Sequence, residues 1–144
     1  MKAVLHFDGG CRAYGNGGPV AFAAIVSVNG EKHAVGERLP TGTTHNVAEY
    51  NGLLAGLAQA LELGVTELTV HGDSRIVVEQ SAGRWQVKSE NLLELHRRAQ
   101  ELAAQFERVT FEWVPRERNV EADRLVNFVM DGNRASGAGV QLTQ

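Results

Sequence analysis

Apolar positions along the chain keep one spacing, then change to another. Residues 2–7 (KAVLHF) have strand-like composition and run into Asp8-Gly9-Gly10, which reads as the end of a strand. Residues 20–28 (VAFAAIVSV) are β-branched and apolar, and Asn29-Gly30 follows as a hairpin turn. Residues 31–38 (EKHAVGER) return as a third, edge strand, so the chain opens as an antiparallel meander. From Val47 the spacing becomes three and four: Val47, Tyr50, Leu54, Leu57 and Leu61 line one face of a helix that Gly64 stops. Residues 67–71 (ELTVH) predict a short strand closed by Gly72-Asp73-Ser74, and residues 74–82 a short helix. A longer helix starts at Ser89 with the stripe Leu92, Leu95, Ala99, Leu102 and Phe106. Residues 109–114 (VTFEWV) alternate as a strand, Pro115 to Asn119 form a charged loop, and residues 120–131 make a last helix.

The resulting order is β-β-β-α-β-α-α-β-α. The meander requires antiparallel pairing, whereas strands joined through helices favour parallel pairing. The expected fold is therefore α/β, a five-stranded mixed sheet flanked by helices, with one domain over 1–131. The Gly-rich, polar segment 132–144 is expected to be a flexible C-terminal tail.

Composition narrows the function classes. A chain of 144 residues with 43% hydrophobic and 22% charged residues suits one soluble domain. No apolar run approaches the roughly 20 residues that span a bilayer, and the start MKAVLHFDGG lacks the apolar core of a signal peptide. A cytoplasmic protein with no membrane partner is the expectation. Cys11 is the only cysteine, so neither an internal disulfide nor a thiolate zinc cluster can form. The net charge of −3 is unlike the basic balance of most nucleic-acid binders. A nucleic-acid partner would need its phosphates met otherwise, for example by metal ions on clustered carboxylates.

Four acids stand where folding does not require them. Asp8 closes the first strand and Asp73 the fourth, and right-handed crossovers make those strands parallel neighbours with their C-terminal ends together. Glu49 is placed in the first turn of the first helix and Asp123 in the first turn of the last. Each has an ordinary alternative: turn formation for the two aspartates at strand ends, a cap pair with Asn46 for Glu49, and complementing a helix dipole for Asp123.

The motifs that carry these acids are Asp8-Gly9-Gly10-Cys11, Asn16-Gly17-Gly18-Pro19, Thr43-Thr44-His45-Asn46-Val47-Ala48-Glu49, Gly72-Asp73-Ser74 and Asn119-Val120-Glu121-Ala122-Asp123. In this order the set resembles type 1 ribonuclease H. The resemblance implies a ribonuclease H-like fold and an endonuclease that hydrolyses the RNA strand of RNA/DNA hybrids, leaving 5′-phosphate and 3′-hydroxyl ends. It also implies that Asp8, Glu49, Asp73 and Asp123 are the catalytic, metal-binding acids and hold two Mg²⁺ or Mn²⁺ ions. Hard oxygen donors suit those ions, and four carboxylates without a counter-ion would repel.

For substrate, the resemblance implies contacts from Gly9, Gly10 and Cys11 to RNA 2′-hydroxyls, the group that separates RNA from DNA. It implies a DNA-phosphate pocket at Asn16 and Thr44, and a minor-groove contact at Asn46. For Asn16 the alternative is a turn, and for Thr44 and Asn46 helix capping. Two departures stand out. Segment 81–88 carries only Arg84 and Lys88 where some relatives have a lysine-rich grip, so weaker affinity and a shallower salt dependence are expected. Trp85, in the same segment, reads either as a stacking surface or as a lid on the core. The loop before the last acid reads Pro115-Arg116-Glu117-Arg118-Asn119, with no histidine, which looks like a variant of the family with Arg-Glu-x-Asn there. Arg118 is the candidate to approach the scissile phosphate, and its role would be electrostatic. A catalytically inactive hybrid-binding module of the same fold is the alternative; a missing acid would mark it, and all four are present. Double-stranded RNA as a further substrate is left open, and a monomer is expected.

Overall fold

The computed structural model of the protein describes residues 1–12 and 17–138. Its strands are β1 (Lys2–Cys11), β2 (Val20–Val28), β3 (Glu31–Leu39), β4 (Glu67–Gly72), β5 (Arg108–Trp113) and β6 (Ala135–Ala138). Its helices are α1 (His45–Glu62), α2 (Arg75–Ser81), α3 (Glu90–Ala103) and α4 (Val120–Met130), and a single 3-10 turn at Arg116–Arg118 occupies the charged loop. The five expected strands form one mixed sheet in the order β5-β4-β1-β2-β3, and β6 pairs with the outer side of β3. That strand lies inside the segment read as a tail. Four residues of low apolar content leave no periodic signal, and pairing with β3 shields part of what would be an open edge.

Two apolar layers cover the sheet. Leu5, Phe7, Val26, Leu68 and Val70 pack under α1, α2 and α3. Ala21, Ala23 and Ile25 pack under Leu125, Val126 and Val129 of α4. The Asn29-Gly30 turn takes φ of 51° and 80°, the left-handed pair that a tight hairpin demands. Gly64 ends α1 at φ 83°. Thr44 caps the start of α1, its hydroxyl accepting from the amide of Val47 at 3.3 Å.

Two local expectations need correcting. First, β1 does not end at Asp8. It pairs with β4 only from Lys2↔Glu67 to Phe7↔Gly72, but with β2 out to Cys11↔Val20. The sheet therefore forks at Asp8. Gly9 stays extended there because α1 lies against it: a Cβ on Gly9 would stand 2.4 Å from the carbonyl carbon of Ala48 and the amide nitrogen of Glu49. Reciprocally, a Cβ on Gly52 would stand 2.6 Å from the carbonyl oxygen of Asp8. Second, the cap of α1 is Thr44 rather than Asn46, so Glu49 sits past the first turn and the cap-pair reading of Glu49 falls.

Candidate active site

The fork brings three of the four acids together. Asp8 sits on β1 just past its last pairing with β4, and Asp73 follows the last residue of β4. Glu49 arrives from α1 through the glycine contact described above. One carboxylate oxygen from each of Asp8, Glu49 and Asp73 lies within 4.8 Å of the others. Asp8 and Glu49 are buried, at 5% and 2% exposure. Asp123 lies in the first turn of α4 and lines the same cleft of about 630 Å³, but stands outside the tight group, its carboxylate 3.8 Å from Nη2 of Arg116.

The electrostatics follow from this crowding. Burial, then the charges of Glu49 and Asp73, push the Asp8 carboxyl up to about 9. Burial likewise raises Glu49, opposed by a hydrogen bond with His45. It raises Asp73 too, against a hydrogen bond from Asn119 and the charge of Arg116. His45 Nε2 lies 3.2 Å from Glu49 Oε2, and this contact raises the imidazole. The other Glu49 oxygen, Oε1, is buried without a hydrogen-bond partner among the described residues. A buried carboxylate with an unpartnered oxygen, beside two further acids, is the donor set that a divalent cation with oxygen preference satisfies.

Neighbouring side chains fix the frame. Trp113 Nε1 donates to the Asp73 carbonyl at 3.1 Å, and the Arg75 guanidinium lies 4.2 Å above the Trp113 ring. The amide of buried Asn119 donates to the Phe7 carbonyl at 2.9 Å, tying the start of α4 to β1 next to the fork. Arg12 lines the cleft but is engaged with Asp131 at 2.6 Å and with Asn127.

The substrate candidates divide. Gly9, Gly10 and Cys11 line the cleft. For Gly9, packing against α1 is a sufficient reason to lack a side chain. Thr44 and Asn46 do not line the cleft, and the Thr44 hydroxyl accepts from its own helix. Asn16 lies outside the described residues. The loop arginine that lines the cleft is Arg116, whereas Arg118 is exposed at the other end of the 3-10 turn. Trp85 is 47% exposed and so is no lid on the core, and Arg84 pairs with Glu79. Sequence reasoning passed over Trp113, Asn119, Arg75 and Arg116 as site residues. Asn119 carried a signal, being a polar residue at a helix start beside an acid motif; the indole contact of Trp113 comes from register and has none.

Comparison with known proteins agrees with this geometry. A family described as reverse transcriptase-like matches residues 6–129. A Mycobacterium tuberculosis protein described as bifunctional is 50% identical over 145 residues, covering 96% of this chain but 38% of its own length. The chain thus spans well under half of the curated mycobacterial relatives that it matches. The crystal structure of ribonuclease H1 from the archaeon Halobacterium salinarum superposes with a TM-score of 0.83 at 31% identity, over 92% of this chain and 100% of that one. LC11 ribonuclease H1, solved in complex with an RNA/DNA hybrid, superposes with a TM-score of 0.79 at 30% identity, over 90% and 96%. With solved relatives covered nearly end to end and the acids gathered at the fork of the sheet, the chain belongs to the type 1 ribonuclease H family.

Proposed function

We propose that the chain is a divalent-metal-dependent endonuclease that hydrolyses the RNA strand of RNA/DNA hybrids. The observation that carries this reading is the close trio Asp8, Glu49 and Asp73, two of them buried and the third half-buried, whose mutual repulsion and unpartnered oxygen call for a cation. Asp8, Glu49 and Asp73 would hold Mg²⁺ or Mn²⁺, and Asp123 on the cleft wall would complete a second position. Two ions held there would supply activation of a water and stabilisation of the leaving 3′-oxygen in an in-line displacement that gives 5′-phosphate and 3′-hydroxyl ends.

The remaining steps fall to the protein. The backbone of Gly9, Gly10 and Cys11 lines the cleft and presents polar groups to the RNA 2′-hydroxyls. Arg116 contributes positive charge beside Asp123, where the scissile phosphate would lie. His45 holds one oxygen of Glu49 and leaves the other for an ion. Binding of a hybrid by the related LC11 enzyme supports the choice of substrate. Action as a monomer in the cytoplasm belongs to the same proposal.

The test is cleavage of a labelled RNA/DNA hybrid with Mg²⁺ or Mn²⁺, with single-stranded RNA, duplex RNA and duplex DNA in parallel. Cleavage confined to RNA opposite DNA, and lost in EDTA, is expected. No hybrid cleavage with either ion would refute the proposal, and cleavage of duplex RNA would widen the substrate class.

A further inference from the structure

Among the described residues α4 packs mainly on β1, β2 and β3, over one part of its sheet face. On the remainder, three side chains from adjacent parallel strands stand in one row. His6 of β1 pairs in register with His71 of β4, which pairs with Glu112 of β5. His6 Nε2 lies 3.3 Å from His71 Nδ1, with the two rings nearly perpendicular at 84°. His71 Nε2 lies 3.0 Å from Glu112 Oε1. The side chain of His71 is 23% exposed, so the row is held in place yet reachable from solvent.

Proton placement gives the row its chemistry. A carboxylate only accepts, so His71 Nε2 carries the proton shared with Glu112, and His71 Nδ1 presents a lone pair towards His6. Without metal, His6 Nε2–H donates to that lone pair; with the His6 proton on Nδ1 instead, Nε2 becomes the second donor atom to an ion. Two imidazole nitrogens bound at 2.0–2.1 Å in a tetrahedral shell stand about 3.3 Å apart, which is the separation found between these two. A ligand histidine whose far nitrogen is held by a carboxylate is also the usual outer support of a metal-bound imidazole, and Glu112 supplies it. Lys32, which shares this face, is neutralised by Glu121 at 2.6 Å.

We propose that His6 and His71, with Glu112 behind His71, form a second metal site for imidazole-preferring divalent ions of the Zn²⁺, Ni²⁺ and Cu²⁺ class, completed by water. Mg²⁺ does not compete for nitrogen donors, so this site is chemically distinct from the carboxylate trio. His6 and His71 stand two residues before Asp8 and Asp73, a backbone rise of about 6.6 Å.

The probe is Cu²⁺ added to the full chain in the presence of saturating Mg²⁺, read by electron paramagnetic resonance. One saturable ion with two coordinated nitrogens is expected. His6→Ala and His71→Ala should each remove the two-nitrogen signature and weaken binding at least ten-fold. Glu112→Gln should weaken it several-fold, and His45→Ala should leave it intact. Imidazole NMR of the unmutated protein with Zn²⁺ gives a test free of folding effects, with His6 and His71 shifting first. A two-nitrogen signal that survives His71→Ala, or Zn²⁺ shifts that begin elsewhere, would overturn the proposal. The outcome is independent of whether the protein cleaves hybrids.

Discussion

The contact between Gly9 and α1 places Glu49, so Gly9→Ala is the sharpest test of how the site is built. The added Cβ would stand 2.4 Å from two backbone atoms of α1, Ala48 C and Glu49 N, and 2.6 Å from Ala48 O. None of these can rotate away. Ordinary contact begins near 3.4 Å, so the start of α1 must retreat by about 1 Å (3.4 minus 2.4). Overpacking of this kind costs about 1–3 kcal/mol. At roughly 2–4 °C per kcal/mol for a domain of this size, melting should fall by about 2–12 °C. The larger effect is on chemistry. Glu49 moves with the helix, and a site tolerates only about 0.5 Å of misplacement. The midpoint for Mg²⁺ in hybrid cleavage should rise by roughly 10–100-fold, the range for lost positioning groups. Gly17→Ala, where a Cβ meets nothing within 4 Å among the described residues, serves as control and should change neither quantity. An unchanged Mg²⁺ midpoint in Gly9→Ala, with melting also unchanged, would refute the claim that this close contact positions Glu49.

Three further outcomes follow from the site. Asp73→Asn should abolish hybrid cleavage while raising the melting temperature in EDTA and removing the stabilisation that Mg²⁺ confers, because one of three repelling carboxylates is gone; near-normal turnover would place the site elsewhere. The Asp8 carboxyl is raised to about 9 in the fold, so the folded state keeps a proton that the unfolded chain releases. The Asp8 contribution to metal-free stability should therefore be full below about pH 4, drain as pH climbs towards 9, and be restored by Mg²⁺, as melting curves of the protein and Asp8→Asn across that range would show. Arg116→Ala should slow cleavage more than Arg118→Ala, since only Arg116 lines the cleft; single-turnover rates ranking the other way would return Arg118 to the site.

Much of this was legible in the chain. The helical spacing from Val47 to Leu61, the stop at Gly64 and the Asn29-Gly30 hairpin are each set by local chemistry, and each formed as read. The neighbouring positions of Asp8 and Asp73 were legible from the crossover rule, whereas the four acids stood out as a set only through the motifs of the resemblance. The misreadings arose where a residue's partner is distant in sequence. Asp8-Gly9-Gly10 looks like a turn, but β2 and α1 hold it extended. Asn46 looks like a cap, but Thr44 has the geometry. Arg118 and Arg116 are two residues apart on one turn, and which of them faces the acids depends on how the loop leaves β5. The His6–His71–Glu112 row depends on strand register alone, which spacing within any single segment does not reveal.

The fork at Asp8 also makes the two walls of the cleft mechanically unequal. On one side, residues 8–11 of β1 remain laddered to β2, and Asp8 and Gly9 are pressed against α1. On the other, Asp73 lies beyond the end of β4, held through its carbonyl by the Trp113 indole. A ligand bridging the walls therefore ties a segment held by a side-chain contact and a helix cap to one held by a backbone ladder, and more of its ordering cost falls on the Asp73 side. Slowed amide exchange on metal binding should accordingly concentrate at residues 73–76, while β1 and β2, already protected, change little.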